Sequence, residues 1–283
     1  MAFLIYFFIF LLGLAVGSFL NCIIYRLETG ESFLKGRSYC PHCKHILNWQ
    51  DLIPVFSFLI LKGKCRYCSQ KISWQYPLVE LATAIIFLTL YYNFFTMVNL
   101  LQFIFLLAIS CFLIIIFVYD LKHYIIPDKI IYPAIAIALI YQLFRIWNLH
   151  PLCGYPVSNF APHFFKSGGS NFRMLANPLL SAILAGLFFL IIVLISRGKW
   201  MGVGDIKLAF LIGLILGFPK ILVALFLAFL IGAIIGLGLV ISGKKTLKSE
   251  VPFGPFLVIG TFLALFWGQN LISAYLKMFK LPL

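Results

Sequence analysis

The chain has 283 residues, of which 63% are hydrophobic and only 11% are charged. An ordinary soluble domain is about 45–50% apolar and about 25% charged, so this composition excludes a soluble globular protein. Lysine and arginine number 22 against eight acidic residues, which gives a net charge of +14. Most basic residues lie between apolar stretches, so we expect anionic membrane lipids, and no nucleic acid, as partners.

Breaks in hydrophobicity predict an all-α polytopic membrane protein with about eight transmembrane helices. Each crossing needs about 20 mostly apolar residues. The first apolar stretch lacks a basic start and a small-residue cleavage site, which indicates a retained helix and not a signal peptide. The predicted helices are 2–24, 77–96, 99–119, 130–147, 178–196, 205–218, 220–241 and 253–276.

Two polar segments interrupt this pattern and suggest the domain organisation. Residues 25–76 are expected to form a small cytoplasmic domain between helices 1 and 2, which only an added staple could stabilise at this size. Residues 148–177, rich in Pro, Gly, Ser and Asn, are expected to form a loop on the outer side. The chain then divides into a first transmembrane helix, 1–24, the domain 25–76, and a transmembrane domain, 77–283.

The distribution of basic residues predicts the orientation in the cell inner membrane. With the N-terminus outward, the inner segments hold 16 lysines and arginines and the outer segments hold six. Basic residues accumulate on the cytoplasmic side of membrane proteins. This orientation places segment 25–76 and the loops that carry Asp120 and Asp205 at the cytoplasmic face.

Four of the seven cysteines form two CxxC pairs separated by 21 residues, a spacing typical of a zinc-ribbon-like Cys₄ site. Two disulfides are the alternative, but the reducing cytoplasmic side disfavours them. His42 and His45 are expected to be solvent-exposed loop residues. A closed Cys₄ site has no open coordination position, so zinc would be structural and not catalytic. The predicted ligands are Cys40, Cys43, Cys65 and Cys68.

Two of the eight acidic residues stand out because they adjoin fully apolar runs. Asp120 ends the run 110–119, and Asp205 begins another after Gly202 and Gly204. Carboxylates at such positions are costly unless they face a protein interior or a wet cavity, so they are functional candidates. The alternatives are an interfacial helix-end charge for each, or an N-cap role for Asp205.

An aspartate pair can activate water for attack on a peptide carbonyl and then protonate the leaving amine. No serine or cysteine adjoins a histidine base in the inner loops, which argues against a nucleophilic triad. Asp128 is the rival partner, although we interpret it as a helix N-cap after Pro127. Glu80 is expected to make a structural contact, His123 to be an interfacial loop residue and Asp51 to be an ordinary solvated charge.

At this point the chain resembles a type IV prepilin peptidase. The GxGD motif alone is shared with presenilin-like proteases, but the ordered set of motifs is highly specific. Besides the four cysteines and both aspartates, the matching segments are Gly17–Asn21, Tyr25-Arg26, Asp51–Pro54, Tyr76-Pro77, Glu80-Leu81, Ile126–Asp128, Met201–Asp205 and Pro252–Phe256.

The resemblance implies an aspartic endopeptidase in which Asp120 and Asp205 are the catalytic pair. Its substrates would be prepilins and pseudopilins of type IV pilus and type II secretion systems, cut after a basic leader. It also implies N-methylation of the new N-terminus with S-adenosylmethionine as methyl donor. No glycine-rich cofactor loop is present, so no cofactor-binding residue is assigned.

Three alternatives remain at this stage. A protease without methyltransferase activity has the same motifs. A proton-coupled transporter could use paired carboxylates, but it would place them in broken helices near the bilayer midplane. A noncatalytic membrane scaffold could bind partners through the zinc domain, yet it has no need of two costly carboxylates on one face.

Overall fold

The computed structural model describes residues 2–32, 36–95, 100–148, 170–198, 201–243 and 251–278. Within these ranges the protein is all-helical apart from loops, turns and two isolated β-bridges. Lys35, Glu250, Cys153 and most of the expected outer loop lie outside the described residues. The α-helices are α1 (Ala2–Thr29), α2 (Phe56–Ile60), α3 (Gln75–Phe94), α4 (Leu100–His123), α5 (Asp128–Asn148), α6 (Ser170–Ser196), α7 (Val203–Leu216), α8 (Lys220–Ile241) and α9 (Gly254–Met278).

Each of the eight long apolar stretches forms a helix, but not every one of these helices qualifies as a membrane span within the described residues. In the described part of the chain, six helices are long and apolar enough to cross a bilayer: α1, α3, α4, α6, α8 and α9. Helix α7 has 14 residues and is about 21 Å long, against a hydrocarbon core of about 30 Å. Helix α5 carries Asp128, Lys129 and Arg145. The expected count of eight spans is therefore not confirmed.

The chain divides into two compact units, Met1–Ile115 and Ile116–Leu283. The first unit combines the expected first helix and the cysteine segment with α3. Helices α1 and α3 pack closely at Gly17, which has no side chain. A Cβ atom at this position would lie only 2.6 Å from the Glu80 Cα atom. At the polar end of this pair, the Asn21 amide donates a hydrogen bond to the Tyr76 carbonyl (3.0 Å). Small residues allow such close helix contacts inside membranes.

The second unit is arranged around α7, which contacts α5, α6, α8 and α9. Leu208, Leu211, Ile212 and Leu214 of this helix are fully buried. A side chain at Gly213 would come within 2.4 Å of Ala182 in α6, so this glycine sets how closely the two helices approach. A helix too short to span a bilayer is thereby covered by longer ones.

The C-terminal end of α7 is buried, and its backbone groups are satisfied by side chains from neighbouring helices. The Gln142 amide donates to the Leu214 carbonyl at 2.6 Å. Asn177 binds both backbone groups of Phe218, accepting from its N–H at 2.7 Å and donating to its carbonyl at 3.1 Å. Irregular backbone in a membrane protein requires such partners, because lipid supplies none.

We predict that Gln142→Leu destabilises the protein by about 1–3 kcal/mol, the usual cost of a buried polar group that loses its hydrogen bond. Thermal or denaturant unfolding in detergent measures the change. Asn93→Leu is the matched control: its amide is exposed and donates to the Thr89 carbonyl in its own helix. It should change the free energy of unfolding by less than about 0.5 kcal/mol. Equal losses in both variants would show that the Gln142 bond contributes nothing specific.

Candidate active site and metal centre

The two CxxC turns have the same backbone structure. In each, the N–H of the first cysteine, Cys40 or Cys65, donates to the carbonyl five residues later, at 3.0 and 2.8 Å. The N–H four residues later returns a bond to the cysteine carbonyl at 2.9 Å in both turns. The residue after each second cysteine, Lys44 or Ser69, has a positive φ of 56° or 57°. All equivalent positions lie 25 residues apart, a local repeat that we did not predict.

The four cysteine sulfur atoms converge as a metal site requires. All four Sγ atoms lie within 4.8 Å of one another, and those of Cys40 and Cys68 are 3.9 Å apart. Tetrahedral zinc with bonds of about 2.3 Å places its sulfur ligands about 3.8 Å apart, so this donor set fits zinc with little adjustment. His42 and His45 are exposed and lie outside the cluster, and the His45 ring packs 3.7 Å from that of Tyr67.

Asp51 lies between the two CxxC turns and forms hydrogen bonds with the second turn. It was expected to be an ordinary solvated charge. It accepts hydrogen bonds from Arg66 Nε (2.7 Å), the Tyr67 hydroxyl (3.0 Å) and the Asn48 N–H (3.2 Å). Partial burial alone would raise the pKa of Asp51, but these three donors outweigh it and hold the pKa below its ordinary value. Asp51 therefore serves as a structural anchor within the cysteine segment.

The second unit brings Asp120 and Asp205 together from separate helices. Asp120 lies in the last turn of α4, and Asp205 in the first turn of α7. Both are buried, with exposed fractions of 4% and 8%, and their carboxyl groups are close enough to interact electrostatically. Asp205 is the third residue of α7 and Gly202 is its N-cap, so the N-cap interpretation of Asp205 is wrong.

Backbone N–H groups at helix starts support both carboxylates. The Gly254 N–H, at the first residue of α9, donates to Asp120. The Gly202 N–H donates to Asp205 Oδ2 at 3.2 Å. Helix N-termini favour negative charge because their N–H groups are unpaired and the helix dipole is positive there.

Glycines allow the segments of this site to approach one another. A side chain at Gly254 would lie 2.5 Å from Asp120 Oδ2, and one at Gly204 would lie 3.0 Å from the Ile126 side chain. Ile126 is itself buried and also approaches Gly254. The motifs around residues 126 and 254 were recognised in the sequence. The contacts of Ile126 and Gly254 were not predicted, because the motifs do not indicate which residues they contact in the folded protein.

The other sequence candidates lie outside the buried pair. The Asp128 side chain is 61% exposed and forms an ion pair with Lys207 Nζ at 2.6 Å. It is the first residue of α5, so its interpretation as the N-cap is wrong: the Pro127 carbonyl before it accepts the bonds from Ile130 and Ile131. His123 is exposed, and its ring packs against that of Tyr119.

Glu80 is buried in the first unit, where its Oε2 accepts a 2.7 Å bond from the Val55 N–H. This contact agrees with the structural role that the sequence suggested. Val55 has a φ of 62°, which is unfavourable for a β-branched residue, so the Glu80 bond fixes a strained position.

Comparison with known proteins gives consistent matches over most of the chain. The model of the type IV leader peptidase family matches residues 107–237, and that of the bacterial peptidase A24 N-terminal domain matches residues 11–94. A Bacillus subtilis (strain 168) protein named prepilin leader peptidase/N-methyltransferase is 32% identical, covering 95% of this chain and 97% of its own length.

Two other relatives carry the same name. The Aeromonas hydrophila protein is 30% identical, with coverage of 96% of this chain and 93% of its own length. The Legionella pneumophila protein is 30% identical, with coverage of 94% and 92%. No solved structure matches the chain.

We predict that the purified protein carries zinc and that Cys43→Ser loses it, because a tetrahedral site with three thiolates binds the metal less tightly. Elemental analysis of the detergent-purified chain measures the zinc content, and limited proteolysis reports unfolding of the cysteine segment. Cys111→Ser is the control, since Cys111 lies in α4 and outside the cluster. A wild-type protein without zinc, or equal metal loss in the control, would contradict the site.

Proposed function

The chain belongs to the type IV leader peptidase family, and on this basis we propose that it cleaves the basic leader from prepilins and pseudopilins and N-methylates the new N-terminus. The observation that carries the peptidase assignment is the pairing of Asp120 and Asp205. The names of its relatives support both activities. Family membership does not favour the transporter or the scaffold.

The proposed catalytic cycle uses the two carboxyl groups as an acid and a base. Two carboxylates at one buried site do not both ionise readily, so one keeps a proton while the other accepts one from water. The resulting hydroxide attacks the scissile carbonyl, and the protonated carboxyl gives its proton to the leaving amine. Gly254 and Gly202 hold the two carboxylates through their N–H groups.

The methyl transfer acts on the amine that cleavage releases, so it follows proteolysis. S-adenosylmethionine is the methyl donor that the family resemblance implies, and we assign it no residues. Mass spectrometry of a processed pilin separates the two activities, because the bifunctional enzyme yields an N-methylated terminus and a protease without methyltransferase activity yields a free amine.

The proposed location is the inner membrane, which the chain crosses several times with its N-terminus outward. Six candidate spans and the family support a multi-pass inner-membrane protein. Segments 25–76, 120–129 and 197–207 together hold more lysines and arginines than the expected outer segments. This distribution supports a cytoplasmic position for the zinc domain and the aspartates. Zinc, bound by Cys40, Cys43, Cys65 and Cys68, is proposed as the structural metal.

We expect Asp120→Asn and Asp205→Asn each to lower the rate of prepilin cleavage by about 10²- to 10⁴-fold, since each removes one partner of the acid–base pair. The assay follows release of the leader by gel mobility with purified enzyme. Asp128→Asn is the matched control and should retain nearly full activity, because it breaks only an exposed ion pair. An equal loss in Asp128→Asn would indicate that Asp128 belongs to the catalytic pair.

Gly254→Ala should also impair cleavage, because its methyl group would displace the Asp120 carboxylate. A misplacement of about 1 Å can cost about 10²-fold in rate. Gly238→Ala in α8 is the control, since a methyl group there meets nothing within 4 Å. The thermal midpoint of each variant is measured alongside the rate. Full activity in a folded Gly254→Ala protein would show that this contact does not position Asp120.

A further inference from the structure

Helix α2 presents an apolar face to its surroundings. Phe56, Leu59 and Ile60 are 57%, 62% and 75% exposed, and their spacing of three and four residues puts them on one side of the helix. Phe58 points the other way: it is buried, and its ring lies 4.9 Å from that of Trp74. Phe58 thus packs against the protein while three large apolar side chains of the same helix point outward.

Contacts with α3 fix the position of this helix along the membrane normal. The Val55 N–H, immediately before α2, donates to Glu80 Oε2 at 2.7 Å. Glu80 lies five residues after Gln75, the first residue of a candidate span, which corresponds to about 7.5 Å of helix. The start of α2 therefore lies beside the first turns of a candidate span, and not beyond its end.

The residues around α2 have the composition of an interfacial segment. Trp49 and Trp74 are 73% and 68% exposed, and tryptophan is enriched where head groups meet acyl chains. Lys62 and Lys64 follow the helix and are exposed. The sequence contains no acidic residue between Asp51 and Glu80, so this segment is complementary in charge to anionic head groups.

We propose that α2 is an interfacial helix whose face of Phe56, Leu59 and Ile60 inserts into the head-group boundary of an anionic bilayer. Amphipathic helices with basic neighbours bind membranes in this way. The bilayer is favoured over a protein partner because both ends of segment 30–74 join membrane-spanning helices, which places lipid beside α2 at the required depth. The inference does not depend on the catalytic assignment.

The test places a fluorescent reporter on the proposed face of the full-length protein. The five native tryptophans are replaced by phenylalanine, and Leu59→Trp is added. The protein is reconstituted into vesicles of phosphatidylcholine and phosphatidylglycerol whose acyl chains are brominated near the carbonyl end. His42→Trp in the same background is the comparison, because His42 is exposed in the first cysteine turn, outside α2. Unchanged elution in size-exclusion chromatography verifies that each variant is folded.

We expect Leu59→Trp to show a blue-shifted emission that brominated lipid quenches more strongly than the emission of His42→Trp. Quenching should decrease when phosphatidylglycerol is omitted, and Lys62→Gln with Lys64→Gln should remove this dependence on anionic lipid. A water-like, unquenched emission would overturn the proposal. Emission that shifts only when a prepilin is added would assign the face to substrate and overturn it as well. Quenching independent of lipid charge would overturn the anionic preference.

Discussion

The buried carboxylates described above accept hydrogen bonds from backbone N–H groups that have no hydrogen-bond partner within a helix. Burial of a carboxylate is costly unless donors compensate it, and N–H groups in the middle of a helix are already paired. Asp120 uses the N–H of Gly254, Asp205 that of Gly202 and Glu80 that of Val55. Each donor lies at or just before a helix start. The positions of α2, α7 and α9 are therefore coupled to the carboxylates that their N-termini support.

A 14-residue helix, α7, occupies the centre of the second unit. It begins at Val203, which is exposed like its N-cap Gly202, whereas its third residue, Asp205, is buried among neighbouring helices. Its C-terminal end is internal and needs Gln142 from α5 and Asn177 from α6 to satisfy the backbone. The arrangement buries an acidic side chain in the first turn of a helix and keeps it out of contact with lipid.

Much of the architecture could be predicted from the sequence because apolar stretches and CxxC spacing are strong local signals. The long helices occur where hydrophobicity indicated them, and the four cysteines converge. The boundaries were less accurate: α1 continues to Thr29, and α6 begins at Ser170, inside the expected loop. Hydrophobicity could not distinguish a membrane span from α7, which is equally apolar but is covered by protein and not by lipid.

The contacts that complete the site could not be predicted, because they join residues far apart in the chain. Gly254 meets Asp120 across more than a hundred residues, and no local pattern encodes that pairing. Asp51 was interpreted as a solvated charge because its partners, Arg66 and Tyr67, become neighbours only when the cysteine segment folds. The α2 helix was missed because five residues are too few to show helical periodicity.

The repeated cysteine turns have a consequence for how the metal acts. Each turn is closed by its own backbone hydrogen bonds, and a bound ion would link the two turns to each other. What it restrains is the 21-residue stretch between Cys43 and Cys65, which includes α2. Closing a loop of that length lowers its conformational entropy. Bound zinc would in this way limit the movement of α2, although all four of its cysteine ligands lie outside that helix.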